Sequence, residues 1–100
     1  MSAFFGSALL VANATTLIYD HLGADPITVN IRMANQNNTE VNYWVWIGAT
    51  ATPEKCITPG VTVDPNAPWE DTAMRMAPGE KLWVMATKGN VSVRAFGVED

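Results

Sequence analysis

The sequence has one cysteine and one histidine, and each scarcity excludes chemistry. Cys56 has no partner within the chain, so no internal disulfide can staple the fold. Two readings stand for it: a half-buried small hydrophobe, or a thiol that pairs between subunits. His21 sits in a Tyr19-Asp20-His21 turn with Asp25 nearby. A metal centre needs more His, Cys or carboxylate ligands at set spacings. A Ser-His-Asp triad could draw on His21 alone, and no Gly-x-Ser-x-Gly elbow accompanies it. His21 is expected to be a solvent-facing loop residue.

Charge is scarce as well. Charged residues make up 16% of the chain, against about 25% in an average domain. Part of the surface is therefore expected to face protein rather than water, and the four tryptophans strengthen that expectation. The six basic residues are scattered singly in a chain of net charge −4. Phosphate neutralisation needs clustered basic residues, so no nucleic-acid partner is expected. An anionic membrane surface is excluded on the same ground. No apolar run approaches the roughly 18 residues of a membrane-spanning helix.

The catalytic patterns are missing too. Gly79, Gly89 and Gly97 are separate turn or bulge glycines and form no phosphate loop. Glu70-Asp71 and Glu99-Asp100 are adjacent carboxylates. Neighbours on a strand point to opposite faces, so neither pair is expected to flank a glycosidic bond across a cleft; both read as solvated turns or termini. Asn13-Ala-Thr15, Asn37-Asn-Thr39 and Asn90-Val-Ser92 match the short glycosylation pattern, which is common by chance. No cofactor, no small-molecule substrate and no enzymatic activity are expected.

What the chain does have is alternation. One hundred residues allow one domain, and 48% apolar content fits a folded one. Ile27, Val29, Ile31 and Met33 alternate with Thr28, Asn30, Arg32 and Ala34, the pattern of a half-buried strand. The run 40–49 is β-rich, with Val41, Tyr43, Val45 and Ile47 on one face and Asn42, Trp44 and Trp46 on the other. Both faces are heavy, so both are expected to be covered. Thr15–Tyr19, Val61–Val63 and Trp69–Met76 read as further strands, the last with Thr72, Met74 and Met76 sharing a face. Residues 50–59 carry Pro53 and Pro59 and read as a loop, extended only near Cys56-Ile57. Lys81–Ala86 and Val91–Val98, joined by Lys88-Gly89-Asn90, read as a terminal β-hairpin, because Gly and Asn tolerate the positive φ of tight turns. In its second arm Val91, Val93 and Ala95 point opposite to Ser92, Arg94, Phe96 and Val98.

The fold expected is therefore all-β: an antiparallel β-sandwich of about seven to eight short strands over residues 15–100. Residues 1–14 form an N-terminal arm or a first strand. They hold Phe4, Phe5, Leu9 and Leu10, which would be poorly soluble if left free. Ala12-Asn13-Ala14 has the small-x-small form of a signal-peptidase site, but no Lys or Arg precedes Arg32 to make a positive leader. As an arm, this segment is expected to serve assembly more than folding. Tyr43, Trp44, Trp46, Trp69 and Trp83 could instead build a carbohydrate platform beside the 35–38 asparagine loop, although core or interface packing accounts for them more simply.

Four stretches carry a resemblance. They are Ile27-Thr-Val-Asn-Ile-Arg-Met-Ala-Asn-Gln-Asn37, the strand ending at Ile47-Gly-Ala49, Ala77-Pro-Gly-Glu-Lys-Leu-Trp-Val84, and Asn90-Val-Ser-Val-Arg-Ala-Phe-Gly-Val-Glu-Asp100. Together they resemble the small β-sandwich virion structural proteins, decoration or accessory, of tailed bacteriophages. The likeness spans roughly residues 15–100 and is densest at the C-terminal end. It implies a non-enzymatic subunit located in the virion, attached as an oligomer to the head, neck or tail surface. The implied partners are copies of itself and other virion structural proteins. Phe4, Phe5, Leu9, Leu10, Trp44 and Trp46 are the candidate assembly interface. The alternative is a carbohydrate- or host-surface-binding β-sandwich module.

Overall fold

Alternation at period two leaves this chain one way to bury its apolar residues, which is sheet against sheet. The computed structural model, which describes residues 2–99, has that architecture. Its strands are β1 (Ser2–Leu9), β2 (Thr16–Asp20), β3 (Ile27–Asn35), β4 (Val41–Gly48), β5 (Cys56–Val63), β6 (Pro68–Met76), β7 (Lys81–Ala86) and β8 (Val91–Glu99). The first sheet has the order β1-β8-β3-β6 and the second β2-β7-β4-β5. Every pairing is antiparallel. The fold is thus the expected antiparallel β-sandwich, and residues 2–9, expected as an arm or a first strand, form a strand.

The inward faces are those that alternation marks. Val29, Ile31 and Met33 of β3 meet Val41, Tyr43 and Val45 of β4, with Leu82 and Val84 of β7 and Val93 and Ala95 of β8 completing the core. Each such aliphatic side chain contributes about 1.5–3 kcal/mol when fully buried. Only the β4–β5 connection stays within one sheet; all others cross between sheets.

That crossing overturns the expected terminal hairpin. β7 and β8 are inner strands of different sheets and do not pair. The Gly89-Asn90 turn exists, and Asn90 takes the positive φ of 57° that its side chain tolerates. Its hydrogen bonds, however, go to the 35–38 loop. Gln36 N–H donates to Asn90 O at 3.1 Å, Asn90 Nδ2 to Gln36 O at 3.0 Å, and Asn37 Nδ2 to Gly89 O at 2.9 Å. The turn is an arch over the end of the sandwich. Asn35, buried beneath it, donates from Nδ2 to Thr39 O and Asp64 O, each at 3.0 Å. Asn37 and Asn90 spend their amides in this way.

Two further expectations change. Thr72 does not share a face with Met74 and Met76. The β3–β6 register shifts between Val29 and Ile31, Ala73 takes φ 55°, and its N–H is satisfied by Asn30 Oδ1 at 2.8 Å. This bulge reverses the parity, so Trp69 and Asp71 face inward before it and Met74 and Met76 after it. Residues 56–63 are one bulged strand rather than a loop and a short strand. Pro59 and Gly60 (φ 66°) interrupt its register without ending it.

The exposed edges are managed. β5 and β6 carry Pro59 and Pro68, which donate nothing to an incoming strand. β1 and β2 lie against each other. A Cβ at Gly6 would stand 2.5 Å from Ile18 O, and the Phe5 and Tyr19 rings are 4.8 Å apart. This close approach shuts one side of the sandwich.

Candidate functional site

The six residues expected at an assembly interface divide among three environments. Leu10 is corrected: it is 3% exposed and packs in the core, because its N–H donates to Val91 O at 2.8 Å and draws it under the arch. Phe5 is half-buried against Tyr19. Phe4 and Leu9 face outward and are 56% and 64% exposed. Trp44 and Trp46 lie half-buried on the outer face of the second sheet.

That outer face is built by register. Leu17, Trp83, Trp46 and Cys56 stand in one row across the four strands, and Met85 and Trp44 stand in the next. Trp83 Nε1–H donates to Gly48 O at 3.2 Å, which fixes its ring. The Trp44 ring covers Gly60, where a Cβ would come within 2.9 Å of it. Cys56 is half-buried and its thiol donates to Thr58 O at 3.4 Å.

The outer face of the first sheet differs in character. Phe4 stands opposite Phe96, with Val98 beside it, and all three are exposed. All three arginines of the chain lie on this face: Arg32 and Arg94 directly opposite each other, and Arg75 in the Thr28–Val98 row. Like charges directly opposed in a sheet repel. Here they are relieved separately. Arg32 forms an ion pair with Glu70, and the Arg94 guanidinium lies 4.5 Å from the centre of the Phe4 ring. Beside them is a shallow depression of about 420 Å³ bordered by Ser7, Leu9, Ala34 and Ser92.

His21 is not solvent-facing; it is 3% exposed. The 21–26 loop folds back over it, and its Nε2–H donates to Asp25 O at 2.6 Å. Its main chain is held as well, donating to Glu80 O at 3.0 Å and accepting from Gly79 N–H at 2.9 Å. The same loop carries Leu22, which is 85% exposed, more than any other large apolar side chain described.

Of the Glu70-Asp71 pair, expected to be solvated, only Glu70 faces out. Asp71 turns inward and accepts from Thr58 Oγ1 at 2.8 Å. Nearby, the buried Tyr43 hydroxyl has no hydrogen-bond partner. Burial, and secondly the charge of Asp71, raise its pKa well above the ordinary tyrosine range. Asp100 lies outside the described residues.

Among the described residues no group of three or more His, Cys, Asp or Glu is placed to hold a metal ion. Nor, among the described residues, is any helix long and apolar enough to cross a membrane. The arginine face, Leu22 and the burial of His21 were missed in the sequence reading. The outward parity of Arg32 and Arg94 was readable from alternation; the adjacency of β3 and β8, which brings them together, was not. Comparison of the chain with protein-family models, with curated proteins and with solved structures finds no match.

Proposed function

We propose that this chain is a non-enzymatic structural subunit of a tailed-phage virion. It attaches as an oligomer to the head, neck or tail surface, and its partners are copies of itself and other virion structural proteins. The observation that carries this reading is the apolar patch of Phe4, Phe96 and Val98 on the first sheet, exposed on a domain whose own core is already complete. An isolated surface leucine needs no explanation, but adjoining phenylalanines in water do. The low charge content and the likeness of the 27–37, 77–84 and 90–100 stretches to virion proteins support the same reading.

The test is density-gradient purification of particles from the source, followed by gold-labelled antibody against this chain and electron microscopy. The reading predicts that the chain stays with the particles and labels one defined surface. Its presence in the lysate but absence from purified particles would contradict it.

A second reading, a carbohydrate- or host-surface-binding module, is favoured by one feature. Trp46 and Trp83 stand directly opposite on an outer face, with Trp44 in the next row. On this reading a glycan array shows binding that Trp46→Ala abolishes without lowering the melting temperature. No binding by the wild-type chain removes it.

A further inference from the structure

Charge is divided unevenly over this molecule. The outer face of the first sheet holds all three arginines of the chain, with Arg32 paired to Glu70. The chain as a whole carries −4. Part of that negative charge sits in the loop after β2, which carries the exposed Asp25 as well as Leu22. The two features are opposite in shape as well as in sign. One is an exposed leucine on a loop that also carries Asp25. The other is a depression of about 420 Å³ lined by Leu9, Ala34 and Ser92 together with Arg32 and Arg94.

They cannot meet within one copy. The loop leads into β3 at Ile27, and Ala34 lines the depression at the far end of the same strand. At ~3.3 Å per residue the two points are roughly 23 Å apart. A contact between copies, head to tail along the strand direction, satisfies both. We propose that the Leu22 tip of one copy docks in the Arg32–Arg94 depression of the next, with Asp25 meeting the Arg94 guanidinium. This rests on the assembly reading above and gives it a geometry.

Two observations make the contact favourable. The tip is already ordered: the hydrogen bonds of His21 to Glu80, Gly79 and Asp25 hold the loop, so little conformational entropy is lost on docking. Among the described residues Arg94 has its ring contact with Phe4 but no ion pair, so a carboxylate from outside displaces no internal partner. Because tip and depression are different surfaces, the contact is heterologous. Repeated, it makes a ring if the rotation closes and an open chain if it does not.

Complementation tests this directly. Leu22→Asp spoils the tip and leaves the depression; Arg94→Glu spoils the depression and leaves the tip. Ala34→Gln, which fills the floor from β3, serves as a second depression variant in case Arg94→Glu disturbs Phe4. Circular dichroism melting confirms that each variant folds. Each alone is expected to self-associate about a hundredfold more weakly than wild type and to run at the 10.8 kDa chain mass in light scattering. An equimolar mixture of Leu22→Asp with either depression variant is expected to form a one-to-one pair and stop there, since one good tip and one good depression remain. Folded variants that assemble like wild type overturn this contact while leaving the assembly reading standing. A mixture that stays at the chain mass overturns it too, as does a wild-type chain that never self-associates. The virion reading is decided separately, by the labelled particles.

Discussion

Tyr43 shows what one residue contributes and what it hides. Alternation in the 41–47 run places it inward, and it is fully buried. Its hydroxyl has no hydrogen-bond partner and stands near the Asp71 charge, which keeps it protonated well above its usual range. Linkage fixes the sign of the consequence. Above about pH 10 the unfolded chain releases a proton that the folded chain retains, so folding loses about 1.4 kcal/mol per pH unit from this group. Tyr43→Phe removes the term. Urea denaturation between about pH 10 and 12 is expected to show a pH dependence shallower by about that slope in the variant. At neutral pH the variant is expected to be as stable as wild type or slightly more so, since an unpartnered polar atom is lost. Equal alkaline slopes would contradict the assignment. The inward position of Tyr43 was legible in the sequence. Its neighbour was not, because the bulge at Ala73 reverses the parity of β6 and turns Asp71 into the core. A left-handed alanine leaves no mark in a residue-type pattern.

At the scale of elements, strand identity was readable and strand partnership was not. Val91, Val93 and Ala95 are buried as alternation requires. The Gly-Asn turn before them marks a reversal, yet a reversal can join neighbours in one sheet or arch between two. Only the hydrogen bonds of the 35–38 loop with Gly89 and Asn90 select the arch. The N-terminal segment teaches the same lesson. Its apolar residues lack a clean period because Gly6 sits at a register shift where β1 presses on β2. β1 covers one edge of β8 and brings Phe5 and Ala8 against the core. Its removal is therefore expected to damage folding first, which reverses the expectation for a free arm. Deleting residues 1–9 is expected to cost at least about 3 kcal/mol, as much as truncating one large core side chain. Calorimetry should then show a melting temperature at least about 12 °C lower, at ~4–8 °C per kcal/mol in a domain of this size. An unchanged melting temperature would mean that β1 is dispensable to the fold.

For the whole molecule, composition raised an expectation that local patterns could not locate. Few charges and surplus aromatics predicted surfaces meant for protein. The structure places Phe4, Phe96 and Val98 on one outer face and Trp44, Trp46 and Trp83 on the other. The basic residues, scattered singly in the sequence, include three arginines that strand order gathers on a single face. That gathering depends on β8 lying beside β3, a pairing between segments about 60 residues apart, and no local signal encodes it. The result is a small sandwich, 41 Å in its longest dimension, with a face that carries the three arginines, an exposed leucine tip and apolar patches that its own core does not use. The central claim is that such a molecule is built to assemble. Sedimentation equilibrium of the wild-type chain from about 1 to 100 µM, in low and high salt, tests it most directly. The account predicts a mass above 10.8 kDa that rises with concentration and falls toward the single-chain value as salt screens the arginine–carboxylate contacts. A mass of 10.8 kDa at every concentration and salt would contradict it.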